Sequence, residues 1–86
     1  MNQLEQLISE RLQVLEPTEL QVINESHHHI GHAAHNQGAS HFRVIISSPK
    51  FQGLTKVAQQ RLVFQQLQDV MPFPIHALAL VTKIPS

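Results

Sequence analysis

Residues 41–82 read HFRVIISSPKFQGLTKVAQQRLVFQQLQDVMPFPIHALALVT. The alternation, turn and breaks of this stretch lay out two strands with a helix between them. It opens on HFRVIIS, residues 41–47, where Phe42, Val44 and Ile46 fall on every second residue and so on one face of a strand. SSPKFQG turns the chain, and Thr55 is placed to cap a helix, because its hydroxyl can accept a bond from an early helical N–H. The helix is expected from about Lys56 to Val70. Its apolar set is Val57, Ala58, Leu62, Val63, Phe64, Leu67, Val70 and Met71, spaced mostly by three and four. Pro72 and Pro74 stop it. Residues 75–82, IHALALVT, form another strand. Two strands joined by one helix pair in parallel through a right-handed crossover.

Upstream, Leu4, Leu7, Ile8, Leu12 and Leu15 recur at helical spacing, so residues 3–15 read as an amphipathic helix ended by Pro17. Residues 20–24, LQVIN, form a short strand. Its partner is the strand at 41–47, and the two make a hairpin around a long, glycine-marked loop. The order is α-β-β-α-β. It predicts an α+β two-layer sandwich in which a three-stranded mixed sheet carries both helices on one face. The 86 residues hold neither repeat nor linker, so residues 1–86 read as a single domain.

Composition narrows the function classes. There is no Cys, Trp or Tyr. Disulfides and thiol nucleophiles are therefore excluded, and a reducing compartment, the cytoplasm, is the expectation. The acidic N-terminal stretch lacks the basic region of a secretory signal, and no apolar run approaches bilayer length. Charge is segregated along the chain. Residues 1–42 carry Glu5, Glu10, Glu16, Glu19 and Glu25 against Arg11 alone, a net −4; residues 43–86 carry Arg43, Lys50, Lys56, Arg61 and Lys83 against Asp69 alone, a net +4. The basic half is a candidate nucleic-acid face, and a solvated, balanced surface is the plainer reading.

Histidine is the unusual residue. Six of the seven lie between 27 and 41 (His27, His28, His29, His32, His35 and His41), and the seventh is His76. Imidazole binds borderline metals. A loop of histidines without thiolates makes a poor structural zinc site, since such sites want four ligands that usually include Cys. Strand histidines are most often packed or hydrogen-bonded, and spacing alone leaves His76 and His41 with that reading. No G-x-S-x-G, P-loop or dinucleotide glycine pattern accompanies the histidines, so an enzyme is not expected.

Asn24–His29 (NES-x-x-H), SHFRVIISSPKFQG at 40–53 and IHALALVTK at 75–83 together resemble the BolA-like proteins, over nearly the whole chain from Leu20 to Pro85. The resemblance implies a fold like the class II KH domain. It also implies partnership with a monothiol glutaredoxin carrying glutathione, with a 2Fe–2S cluster shared between the two proteins in iron–sulfur trafficking or iron regulation. The histidine of IHAL, here His76, is one implied ligand. The NES-x-x-H pattern assigns the loop ligand to His29, with His32 as close competitor. The isolated chain is then expected to hold no cluster and to be a monomer or weak homodimer. The alternative implied by the resemblance is a DNA-binding transcriptional regulator of morphology and stress response. Lys50, Lys56, Arg61 and Arg43 would be its phosphate contacts. Two departures bear on that alternative. Gln59 and Gln60 precede Arg61 where relatives often carry Arg-His-Arg, and the Gly-x-x-Gly loop of KH domains is absent, Gly53 standing alone.

Overall fold

The computed structural model describes residues 3–25 and 40–86. Within them the chain runs α1 (Gln3–Leu12), β1 (Glu19–Asn24), β2 (Ser40–Ser47), α2 (Lys56–Gln65) and β3 (Ile75–Lys83), with short 3₁₀ turns at Gln13–Leu15, Pro49–Phe51 and Gln68–Val70. The sheet order is β1-β2-β3. β1 and β2 are antiparallel, and β2 and β3 are parallel. The α-β-β-α-β order and the mixed three-stranded sheet agree with the sequence reading. The His-rich segment from His27 to His35 lies outside the described residues.

Alternation along β2 sets the two layers. Phe42, Val44 and Ile46 are buried, together with Ile8, Leu12 and Leu15 from the first helical segment, and with Val63 and Leu67 from α2 and its C-terminal turn. Both helices therefore cover the same sheet face. His41, Arg43 and Ile45 point to the other face, where Ile23 and Val81 stay partly exposed. β2 is the central strand, and its helix-facing side chains form the middle of the core.

The stripe that α2 turns inward differs from the expected one. Val57 is 56 % exposed, whereas Gln59 is 3 % exposed. Gln59, Val63 and Leu67 lie four residues apart, so they share one row on the helix, and the leucine and valine set its phase. The buried amide is satisfied on both sides. Gln59 Nε2 donates to the Leu54 carbonyl at 3.0 Å, and its Oε1 accepts from the Thr82 hydroxyl at 2.6 Å. Hydrogen bonding, not hydrophobicity, makes Gln59 a core residue, which apolar periodicity cannot reveal. Thr82→Val should leave Gln59 Oε1 buried without its donor and cost about 1–3 kcal/mol. The double change Gln59→Met with Thr82→Val should cost less than the sum of the two single changes. Urea midpoints of the four proteins check this; strict additivity would show that the two side chains are not coupled.

α2 also ends earlier than Val70. Thr55 caps its start as expected, accepting from Ala58 N–H at 3.1 Å. After Gln65 the bonding tightens: Gln66 N–H reaches the Val63 carbonyl and Leu67 N–H the Phe64 carbonyl, both at 3.0 Å. Such i→i−3 bonds satisfy the last carbonyls of a helix in a smaller turn. The remaining residues continue as a separate 3₁₀ turn.

Charges segregated along the chain meet in space. Glu16 pairs with Lys50 at 3.6 Å, Glu19 with Lys83 at 3.3 Å and Glu25 with Arg43 at 2.9 Å, each joining an acid of the first half to a base of the second. Glu16 holds its position with a left-handed backbone, φ 53°. The reverse pair, Arg11 with Asp69, is two-pronged at 2.6 and 2.8 Å, and Arg11 also donates to the Gln66 carbonyl. The hydrogen-bonded guanidinium holds the Asp69 carboxyl below the usual carboxylate range, and Asp69 in turn raises Arg11.

A depressed carboxylate contributes stability that is present above its unfolded pKa and disappears as pH falls through the folded value. Asp69→Asn should therefore flatten the acid limb of the stability profile and leave the slope above about pH 5 unchanged. Urea midpoints between about pH 2 and 7 check it; an identical acid limb in both proteins would show that the pair contributes nothing to acid sensitivity.

Candidate metal-ligand site at the histidine end of the sheet

The site is built where β2 and β3 begin. Parallel pairing sets the two strand starts side by side. The register then slips: Ser40 opposes Ile75, but His41 opposes Ala77. His76 is the extra residue of a β-bulge. A bulge bends its strand and re-aims a side chain out of the regular alternation. Ile75 before it is fully buried, which anchors the root of the bulge, while His76 itself is exposed. The His41 and His76 rings lie with centroids 5.1 Å apart, tilted by 53°.

Backbone bonds fix the surroundings. Ser40 N–H donates to the Pro74 carbonyl at 3.0 Å, tying the start of β2 to the turn that precedes β3. Glu25 N–H donates to the His41 carbonyl at 2.8 Å. Arg43, two residues from His41 on the same face, donates from Nε to Glu25 Oε2 at 2.9 Å. The chain thus leaves β1 beside His41 with both its backbone and a carboxylate held.

The two imidazoles are a partial donor set for a metal. A metal–nitrogen bond of about 2 Å puts a ring centre about 3 Å from the ion, so two imidazoles on one tetrahedral ion have centres about 5 Å apart. The observed 5.1 Å lies within that reach, and within the range of an ordinary tilted ring contact as well. Among the described residues no group of three or more His, Cys, Asp and Glu side chains is placed to hold a metal. The described chain supplies two imidazoles and no thiolate. A 2Fe–2S cluster needs four ligands, mostly thiolates, and tolerates two histidines on one iron. The residues present fit such a group as a partial ligand set.

Of the residues singled out from sequence, His76 is at this site, and His29 and His32 lie outside the described residues. His41, read from sequence as packed or capping, is the residue that reasoning missed as a neighbour of His76. A signal for it existed. Both histidines open strands that a single crossover makes parallel, so both fall at one end of the sheet. The four basic residues are not brought together. Arg43 lies on the sheet face away from the helices and is paired with Glu25. Lys50 is in the turn after β2 and faces Glu16, Lys56 reaches the Thr82 carbonyl, and Arg61 is exposed on α2. Among the described residues no helix is long and apolar enough to cross a membrane.

Comparison with known proteins gives the family. The family described as BolA-like protein matches residues 12–86. A curated relative, BolA-like protein 1 of Mus musculus, is 38 % identical over 74 residues, which cover 86 % of this chain and 52 % of that protein. A second, named DNA-binding transcriptional regulator BolA, from Vibrio cholerae, is 45 % identical over 67 residues, covering 78 % of this chain and 60 % of that protein. The chain thus spans only half to three fifths of the length of these two relatives. Two further relatives, both from Arabidopsis thaliana, are named as chloroplastic/mitochondrial and chloroplastic proteins. Among solved structures, the BolA domain of SufE1 from Arabidopsis thaliana superposes with a TM-score of 0.84 at 36 % identity, covering 99 % of this chain and 95 % of that one. With its motifs, its mixed sheet and its family match in agreement, the chain belongs to the BolA-like protein family.

Proposed function

We propose that the chain is a non-enzymatic adaptor that docks on a monothiol glutaredoxin carrying glutathione and contributes imidazole ligands to a 2Fe–2S cluster held between them, in iron–sulfur trafficking or iron regulation. The observation that carries this reading is the exposed His76, re-aimed by a bulge to stand beside His41 on a chain that has no Cys. A 2Fe–2S cluster needs more donors than this end of the sheet supplies, and any thiolates among them come from another molecule, since this chain has no Cys. In this reading His76 is the fixed donor. The second donor is His29, with His32 competing for the place, and His41 stands as the nearest alternative. The bulge and the Ser40–Pro74 bond orient His76; the Glu25–Arg43 pair holds the chain at the entrance to the His-rich segment. When bound, the cluster supplies the transferable iron–sulfur unit. Alone, the chain is a monomer or weak homodimer without a cluster, in a reducing compartment, the cytoplasm, where reduced glutathione is available.

Mixing the protein with glutathione-loaded monothiol glutaredoxin under cluster-reconstitution conditions tests the reading. A visible absorption and circular dichroism spectrum distinct from that of the glutaredoxin alone is expected. An unchanged spectrum at saturating concentrations would refute the proposal.

One observation favours a second reading, a DNA-binding regulator: the relative from Vibrio cholerae is named a DNA-binding transcriptional regulator. Lys50, Lys56, Arg61 and Arg43 are the candidate contacts. Most of them are already engaged within the chain, which lowers the number of phosphates they neutralise and predicts a shallow salt dependence. The slope of DNA affinity against salt separates this reading from the first.

A further inference from the structure

We propose that Phe73 is the anchor by which the thiolate-bearing partner is held at the histidine end of the sheet; the inference rests on the adaptor reading above. Phe73 is 64 % exposed, more than any other large apolar side chain among the described residues. An isolated exposed apolar residue is ordinary, but the placement of this one is not. It stands between Pro72 and Pro74, whose rings fix their own φ, so the backbone that presents it has few conformations to lose. Its root is tied down: the Pro74 carbonyl accepts from Ser40 N–H at 3.0 Å, and Ile75 is fully buried. A rigid backbone thus presents a bulky aromatic side chain to solvent three residues before His76.

Chain geometry keeps Phe73 close to the site. Three residues span at most about 11 Å, so Phe73 lies within that distance of His76. A partner that brings thiolates to His76 through an interface of standard size covers about 800 Å² of this chain, a patch roughly 16 Å in radius. Phe73 is close enough to His76 for one such patch to include both. Aromatic side chains near the centre of an interface carry a disproportionate share of binding energy, because they bury large area with few torsions to freeze. The matching feature on the partner is an apolar surface adjoining its metal-binding thiolates. His76 then supplies ligation and Phe73 supplies affinity, two roles that substitution separates.

Titration of glutathione-loaded monothiol glutaredoxin into the unsubstituted chain, Phe73→Ala, Phe73→Leu and His76→Ala tests this, with calorimetric affinity and the reconstituted spectrum as separate readouts. Phe73→Ala should weaken the mixed complex about thirtyfold, the loss typical of an aromatic hot spot. At saturating partner its histidine-dependent spectrum should match that of the unsubstituted protein, and Phe73→Leu should fall between. An affinity for Phe73→Ala within twofold of the unsubstituted chain, while that chain forms the histidine-dependent complex, overturns the anchor and leaves the adaptor reading standing. A loss confined to self-association in sedimentation also overturns it, since Phe73 would then face a second copy. If His76→Ala keeps the spectrum while Phe73→Ala loses affinity, the anchor stands and the ligand assignment fails. No binding by the unsubstituted chain overturns both.

Discussion

His76→Ala is expected to abolish the histidine-dependent spectrum of the mixed complex with a glutathione-loaded monothiol glutaredoxin. The expectation follows from where the side chain sits. His76 is the extra residue of the bulge between β2 and β3, exposed at the strand start and rooted in the buried Ile75. No other described imidazole leaves the strand alignment in this way. His41 is near, with its ring centre at 5.1 Å, but it is half-buried and stands in regular register opposite Ala77. Iron content is the wrong readout, because an all-thiolate cluster on the glutaredoxin alone keeps its iron. The absorption and circular dichroism bands assigned to imidazole ligation must disappear instead. His29→Ala should be milder, since His32 is three residues away, and the double change His29→Ala with His32→Ala should be severe. His41→Ala adds a decision. If His41 is the second ligand, its loss matches that of His76; if it only packs against the His76 ring, the spectrum survives. Full retention of spectrum and affinity by His76→Ala makes His76 a structural histidine and removes the basis of the site.

Element order was readable from local pattern because both periods are strong here. Phe42, Val44 and Ile46 alternate, Leu4 to Leu15 recur by three and four, and one helix between two strands leaves parallel pairing as the natural outcome. Three features were not readable, each for a physical reason. Gln59 is buried because two hydrogen bonds satisfy it, and its partner Thr82 is 23 residues away in sequence. The −4 and +4 halves suggested a nucleic-acid face, yet three of the first half's acids pair with bases of the second. Sign along a chain carries no information about which charges will meet. Finally, His41 and His76 are neighbours through strand register, and register here includes a bulge that composition does not announce. Parallel strand starts narrow the neighbourhood; only the slip between Ser40 and His41 decides which imidazole faces which. The motifs that identified the family pointed to His76 without explaining its geometry. The bulge provides that explanation.

Phe51→Ala should produce the largest loss of stability of any single truncation remote from the histidines. Phe51 is fully buried and, with Phe42, the largest side chain in the core. It ends the 3₁₀ turn Pro49–Phe51, which carries the chain from β2 toward α2. That turn has little freedom to collapse. Ser48 caps it by accepting from Lys50 N–H at 3.0 Å, while its hydroxyl donates to the Leu15 carbonyl. Phe51 N–H donates to the Ser48 carbonyl at 3.1 Å, and the Phe51 carbonyl accepts from Leu54 N–H at 3.0 Å. Gly53 follows with φ 83°, a conformation side chains rarely adopt, so the next corner is equally constrained. A void left by the ring would therefore persist, and the cost combines lost transfer energy with an unrelaxed cavity, about 3–5 kcal/mol. Against a total stability of roughly 5–15 kcal/mol for a domain of this kind, that is a large fraction, and the melting midpoint should fall by on the order of 20 °C. Phe51→Leu should lose much less, because most of the volume remains. The turn lies at the opposite end of β2 from His41, about 20 Å along the strand. Well below the lowered midpoint, Phe51→Ala should thus still give the histidine-dependent spectrum with its partner. Urea denaturation and reconstitution of the same variant measure both halves. A loss under about 1 kcal/mol would mean that the turn closes over the void, and a spectrum lost while the fold remains intact would mean that the two ends of β2 are coupled.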